Sequence, residues 1–366
     1  MTKVAFIVNG SSDSAMGHRA RDLASLLDQY DIRVAYRTPN KFVSILGFFT
    51  FLIRLHPAVT YVFDISYSGV LAACLYRIFF GGRLVVETGD AIVELARSTG
   101  SRGRLGLWLT GLLEKTAFRS ADRIVVRGTF HRELLLRQGI EAEVIQDGVD
   151  TRRFRPENVD DLRAQYGLNG ELNIGLLGSS VWSEKLQMCY GWELVETLRL
   201  LKERRVKGIM IGGGSGIPHL KARCREYGIE DRLLFLDHIP YEQLPRYLNL
   251  IDVCLSTQSN DLVGQVRTTG KLPLYLATGR YILASDVGEA ARVLKPEMLV
   301  SYEGVKDEEY PQRLAERITS LLNRPETFKQ AVAAQAALAK EHFDYSILSE
   351  RLHQCLARAG GVERRG

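Results

Sequence analysis

VIQDGVDTRRFRP, Val144 to Pro156, is the stretch on which the reading of this chain turns. A short apolar strand (Val144, Ile145) runs into Asp147-Gly148-Val149-Asp150, and Phe154 and Pro156 follow. Gly148 can take a positive φ at little steric cost, and Asp147 and Asp150 can bond nearby backbone N–H groups. One reading is an ordinary β-turn. The other is a strand end, a tight turn and the exit from a domain. A chain of 366 residues exceeds what one hydrophobic core usually organises. The second reading therefore predicts domains over 1–152 and 153–340, with 341–366 as a closing segment.

Outward from that stretch, strands alternate with helices. The first half reads as strands at Val4–Val8, Val34–Tyr36, Thr60–Phe63, Leu84–Glu87, Ile124–Val126 and Val144–Ile145. Helical patterns fill the gaps at His18–Leu27, Phe42–Leu55, Val70–Phe80, Leu105–Arg119 and Phe130–Gln138. The second half repeats the scheme from Ile174–Leu177 to Leu299–Val300 and ends in three helices, the last from about Tyr345 to Arg358. Short apolar runs joined by helices mark parallel sheets covered on both faces. The predicted class is α/β, with two Rossmann-like doubly wound domains and a cleft between them.

Composition narrows the function. A hydrophobic share of 46% and a charged share of 25% belong to an ordinary globular protein. A net charge of +5 permits attraction to anionic substrates or membrane surfaces but is no nucleic-acid footprint. The five cysteines (Cys74, Cys189, Cys224, Cys254, Cys355) never stand at CxxC spacing, so free thiols are expected. MTKVAFIVNG begins a strand at once, without signal-peptide architecture, and no apolar run reaches the roughly 18–20 residues needed to span a bilayer. A cytoplasmic location follows as the expectation. Two stretches hint at a membrane surface: FVSILGFFTFLIRL (Phe42 to Leu55) and RGRLGLWLTGLLEK (Arg102 to Lys115). Basic amphipathic helices can lie among headgroups; the competing reading is two core helices packed on the sheet.

Several loops carry candidate chemistry. VRTTGKL (Val266 to Leu272) sets Thr268, Thr269 and Gly270 beside Arg267 and Lys271 at the start of a predicted helix. A helix start offers free N–H groups and a positive dipole end, which suits a diphosphate. The same residues also read as a Thr N-cap with solvated basic neighbours. GGGSG (Gly212 to Gly216) taken alone is a weak signal for dinucleotide binding, and no acid stands about twenty residues on at a strand end as a nicotinamide site requires; Asp231 and Asp237 flank the next strand instead. NGSSDSAMGHR (Asn9 to Arg19) and ETGDAI (Glu87 to Ile92) end strands on the edge where open parallel sheets bind ligands. No DxD pair is present for a metal–diphosphate bridge, so neither a metal nor a cofactor is expected.

With Val144–Pro156, further segments resemble the GT-B glycosyltransferases of the family-4-like type (glycosyl transferases group 1). The stretch itself resembles the join N-G-V-D-x-x-x-F-x-P, with Asp147 in place of the leading Asn. GLLGSS (Gly175 to Ser180), IMIGGGSG (Ile209 to Gly216), LLFLDHIPYEQLPRYLNLIDVCLS (Leu233 to Ser256) and LPLYLATGRYILASDVGEA (Leu272 to Ala290) resemble the nucleotide-binding half. HFDYSILSERL (His342 to Leu352) resembles the closing helix that crosses back to the N-terminal domain. There is one departure: aligning Gly279 with the family glycine puts Val266 and Leu274 where the family carries two glutamates, eight positions apart.

The resemblance implies a hexosyltransferase-type enzyme, retaining. It would move a sugar from a nucleotide-diphosphate donor to a glycan or lipid-linked acceptor in polysaccharide or cell-envelope synthesis. Gly178, Ser179, Gly213, Gly214 and the Thr268-Thr269-Gly270 turn would line the donor, with His238 and Ile239 near its base and Gly17 close to donor or acceptor. Lys185, Arg267 and Lys271 would hold the leaving diphosphate. Asp90 would orient or deprotonate the acceptor hydroxyl, beside Gly89, where the family often has a His; capping the next turn is its alternative. Glu289 would bind a sugar hydroxyl or cap a helix. The partners expected are a nucleotide sugar, a glycan or lipid-linked acceptor and a peripheral membrane contact at the inner face, with no nucleic acid. The missing glutamates motivate an alternative: a degenerate relative that binds nucleotide or glycan without turnover.

Overall fold

The computed structural model describes residues 1–98, 100, 102–324 and 326–360; the tail 361–366 of the predicted closing segment lies outside the described residues. The chain forms two compact units. Unit one comprises Met1–Gly148, Gln265–Thr268 and the C-terminal segment from Phe343; unit two comprises Val149–Gly264 and Thr269–His342.

Unit one begins with β1 (Thr2–Val8), α1 (Ala15–Ala24), β2 (Tyr30–Tyr36), α2 (Lys41–Leu55), β3 (Val59–Phe63) and α3 (Tyr67–Phe80). It continues with β4 (Arg83–Thr88), α4 (Ile92–Ser98), α5 (Arg104–Ser120), β5 (Arg123–Val126), α6 (Thr129–Leu136) and β6 (Glu143–Val144). The strands pair in the order β2-β1-β3-β4-β5-β6, every pair parallel. Successive strand side chains point to opposite faces, so Val4, Phe6, Val8, Tyr61 and Phe63 pack on one side. Ala5, Ile7, Val62 and Val86 pack on the other, under α2, α3 and α5.

Unit two runs α7 (Asp160–Gln165), β7 (Leu172–Leu177), α8 (Trp192–Leu200), β8 (Val206–Ile211), α9 (Ile217–Tyr227), β9 (Leu233–Leu236) and α10 (Leu244–Leu248). Then come β10 (Val253–Ser256), α11 (Leu262–Val266), α12 (Lys271–Ala277), β11 (Tyr281–Ser285), α13 (Ala290–Val293), β12 (Leu299–Val300), α14 (Tyr310–Leu322) and α15 (Glu326–His342). Its sheet has the order β12-β11-β10-β7-β8-β9, again all parallel. The final helix, α16 (Tyr345–Gly360), returns to unit one: Tyr345, Leu348, Leu352, Cys355 and Leu356 complete the core on the Phe6 face. The doubly wound α/β class read from the sequence is the class observed, closing helix included.

Three local readings are corrected. Gly148 does not take a positive φ. It is glycine because a Cβ there would stand 2.5 Å from Tyr345 Cε1 and 2.7 Å from Leu348 Cδ1 of α16. The turn lies three residues later, where the N–H groups of Arg153 and Phe154 donate to the Asp150 carbonyl. Helix α1 starts at Ala15 rather than His18, because Ser14 caps it by accepting from the Gly17 N–H.

Candidate functional sites

In unit one the strand order reverses between β1 and β3, and an open parallel sheet binds ligands outside the carboxyl ends of its strands at such a switch point. Charged side chains follow strands here: Asp64 after β3, Glu87 within the end of β4, Arg127 after β5 and Asp147 beyond β6. Arg19 of α1 is 2% exposed and pairs with the fully buried Glu87 at 3.1 Å. It also donates to the carbonyls of Ile145 (3.0 Å) and Gln146 (2.6 Å). Tyr61 donates its hydroxyl to the same carboxylate. Arg127 donates to Asp64 at 3.0 Å and to Asp147 at 3.3 Å. Charges so deeply buried persist only when paired and hydrogen-bonded.

The electrostatics separate these carboxyls. Burial would raise the pKa of Asp147, but Arg127, Arg19 and the Thr268 hydroxyl outweigh it and hold the group below the usual carboxylate range. Burial pushes Asp64 up to about 6 against the pull of Arg127. His131, in the first turn of α6, is pushed down to about 4 by burial although Asp90 opposes the shift, and its Nδ1 has no hydrogen-bond partner. The imidazole is therefore neutral near pH 7.

Two sequence candidates meet in unit one. The segment Gln265–Thr268 groups with it, and Arg267 Nε donates to Asp90 at 2.9 Å. Thr268 donates its hydroxyl to Asp147 at 2.8 Å. The acid nominated for the acceptor and the arginine nominated for the diphosphate are thus joined as an ion pair, both partly exposed. The place of a Cβ at Gly89 is filled by the Arg127 guanidinium, so no histidine fits there without displacing it. Gly17 is buried in α1, with the Ser11 and Ser12 carbonyls where its Cβ would be.

In unit two the order reverses between β7 and β10. The loops after β7 and β8 approach backbone to backbone: Ser180 N–H donates to the Gly213 carbonyl (2.9 Å) and Gly216 N–H to that of Ser180 (2.8 Å). A Cβ on Gly212 would strike the Gly178 carbonyl, and one on Gly214 that of Ser180. Both residues have positive φ, 121° and 141°. Those two glycines are explained by loop packing, while Gly213 faces open space. Gly178 lies beside Tyr190 and Lys271: a Cβ on it would stand 2.8 Å from Tyr190 Cε1 and 3.5 Å from Lys271 Nζ. That ammonium sits 3.8 Å from the centroid of the Tyr190 ring. Glu193, in the first turn of α8 and 5% exposed, is pushed up to about 7 by burial, with Lys271 pulling the other way. The Tyr190 hydroxyl has no hydrogen-bond partner.

The remaining candidates are dispersed. Gly270 is the N-cap residue of α12 and Thr269 precedes it, accepting from the Leu272 N–H through its carbonyl. Ser179 is exposed. Lys185 stands exposed on the turn bridged by Ser183 and Met188, so the lysine beside the glycine loop is Lys271. His238 is exposed and Ile239 half-buried after β9. Glu289 is buried at the N-cap of α13 without a side-chain cap bond. Val266 is fully buried and Leu274 nearly so. Sequence reasoning missed Arg19, Asp64, Arg127, His131, Tyr190 and Glu193. For Asp64 and Arg127 the available signal was a charged residue just beyond the end of an apolar strand.

Comparison with known proteins fits this geometry. Residues 176–324 match the family described as Glycosyl transferases group 1. No curated protein sequence matches the chain. Among solved structures, sucrose-phosphate synthase from Thermosynechococcus elongatus superposes with a TM-score of 0.78 at 16% identity, covering 99% of this chain and 100% of that one. Anabaena HepE in complex with UDP-glucose superposes at 0.75 and 16% identity, over 98% and 100%. A putative UDP-N-acetylglucosamine 2-epimerase from Listeria monocytogenes superposes at 0.65 and 12% identity, over 100% and 98%.

Proposed function

We propose, from the match of residues 176–324 to Glycosyl transferases group 1, that this chain is a GT-B glycosyltransferase and that it moves a hexosyl group from a nucleoside diphosphate sugar to a glycan or lipid-linked acceptor. The observation that carries the donor half is the Gly178–Tyr190–Lys271 cluster at the switch point of unit two. Glycosyl transfer must stabilise the leaving diphosphate as the bond to the sugar breaks. Lys271 supplies a cation there, and Gly213, with open space where a Cβ would stand, leaves room for phosphate oxygens to approach backbone. UDP-glucose is the first donor to test, because HepE was crystallised with it. Asp90 orients the acceptor hydroxyl and takes its proton. For that it must leave Arg267, whose charge then serves the developing diphosphate. We assign a retaining course, no metal, a role in polysaccharide or cell-envelope synthesis and a cytoplasmic location, with a lipid-linked acceptor bringing the protein to the inner face of a membrane.

The test is nucleotide binding. A charge-assisted contact is worth about 1.5–3 kcal/mol, so Lys271→Ala should weaken UDP binding by titration calorimetry roughly 10- to 150-fold. Unchanged affinity for UDP, GDP, ADP and dTDP would remove the cluster from the account. A second reading, a protein that binds donor without turnover, is favoured by Val266 and Leu274, which bury aliphatic groups where the family carries glutamates. Hydrolysis of UDP-glucose by the purified chain would eliminate it.

A further inference from the structure

Helices α2, α3 and α5 lie side by side on one face of the unit one sheet, α3 between the other two. Their inner residues, among them Phe48, Leu52, Val70, Ala73, Leu113 and Ala117, fill the core. Their outer faces are also apolar. Phe42 is 80% exposed and Leu46 69%; Ile78 is 74% and Phe79 69%; Leu105 is 70% and Trp108 62%. A scattered exposed leucine needs no explanation, but large apolar side chains left bare on each of three neighbouring helices do.

Charge identifies what covers it. The three helices carry six bases (Lys41, Arg54, Arg77, Arg104, Lys115, Arg119), of which Arg77 is paired with Asp122, against one acid, Glu114. Their net +5 equals that of the whole chain, so the rest of the sequence is balanced. A second copy docked on the same face would set those bases against their like, which disfavours a symmetric pair. Among the described residues no helix is long and apolar enough to cross a membrane. Apolar side chains interleaved with bases, on helices too short to span, suit the headgroup layer of a bilayer.

We propose that the outer face of α2, α3 and α5 docks on a bilayer surface carrying anionic lipid headgroups, with Phe42, Ile78 and Trp108 entering the acyl boundary and Arg104 and Lys115 meeting the headgroups. This deepens the peripheral location within the reading above, and it rests on a surface separate from the Lys271 cluster, so the two fail independently.

The experiment floats the full chain with vesicles of phosphatidylcholine alone or with three-tenths phosphatidylglycerol. The chain should float with the anionic vesicles and be released by high salt. A base near such a surface contributes roughly fivefold to partitioning, so Arg104→Ala with Lys115→Ala should weaken binding about 25-fold. Ile78→Glu with Trp108→Glu should abolish flotation while UDP affinity stays unchanged. Because charge inserted on α3 and α5 can disturb folding, the wild-type chain is also mixed with brominated-lipid vesicles. Trp108 is the single tryptophan of unit one, and the quenching observed should vanish in Trp108→Phe. The proposal is overturned if the wild-type chain floats with neither vesicle, or equally well with both. It is also overturned if quenching persists in Trp108→Phe, or if light scattering shows a dimer that the surface variants dissolve.

Discussion

Glu193→Gln should stabilise unit two in alkaline solution and leave it nearly unchanged in acid. The buried carboxyl of Glu193 is pushed from the usual 4.5 to about 7 because burial removes it from water, against the pull of a backbone hydrogen bond and of Lys271. A folded-state value above the unfolded one means that the native state holds the proton more tightly. The resulting stability is complete below about pH 4.5 and is lost as pH rises through about 7. At about 1.4 kcal/mol per pH unit, the difference between 4.5 and about 7 is worth about 3 kcal/mol. Glutamine occupies the same space without a titrating proton. The variant and the parent should therefore differ by less than about 1 kcal/mol at pH 5, and the variant should be the more stable by about 3 kcal/mol at pH 8.5. For a unit of this size that is about 6–12 °C in melting temperature. Scanning calorimetry from pH 5 to 9 resolves it. A constant offset between the two profiles, or a variant that loses ground as pH rises, would refute the placement of a carboxyl in a pocket where burial outweighs the pull of Lys271.

Three further outcomes are expected. Gly148→Ala should cost about 1–3 kcal/mol through overpacking against Tyr345 and Leu348, seen as a lower urea midpoint with an unchanged slope. Arg127→Met should destabilise unit one by about 3–5 kcal/mol, because Asp64 and Asp147 lose their shared cation; full stability in a thermal melt would contradict the network. Asp90→Asn should depress turnover of UDP-glucose in the presence of acceptor while leaving UDP affinity within a factor of about two, and equal loss of both would move Asp90 out of the acceptor role.

The layering was legible because period-2 and period-3.6 apolar patterns are local: β7, β8 and α12 stand within a residue or two of where the sequence puts them. Helices α4, α7 and α11 were not, since five to seven residues make fewer than two helical turns and show little of a face. Gly148 shows a second limit. Its demand for a missing Cβ comes from α16, nearly two hundred residues downstream, so local turn chemistry named the right residue for the wrong reason. The Asp90–Arg267 pair joins positions 177 apart, which no spacing rule reaches. Lys271 was found because it follows a turn motif, whereas Tyr190 and Glu193 were hidden in an ordinary amphipathic pattern.

The return of α16 to the β1 sheet has a consequence for synthesis on the ribosome. Phe6, Tyr61 and Phe63 precede unit two in the chain, yet the helix that shields their side of the sheet is translated only after it. Unit one must wait with an uncovered flank through the production of nearly all of unit two, a window in which chaperone capture or misassembly competes with completion. A gene cut after Gly148 would yield a half without its lid, whereas a permuted gene encoding α16 ahead of β1 would let the nascent half close before its neighbour is made.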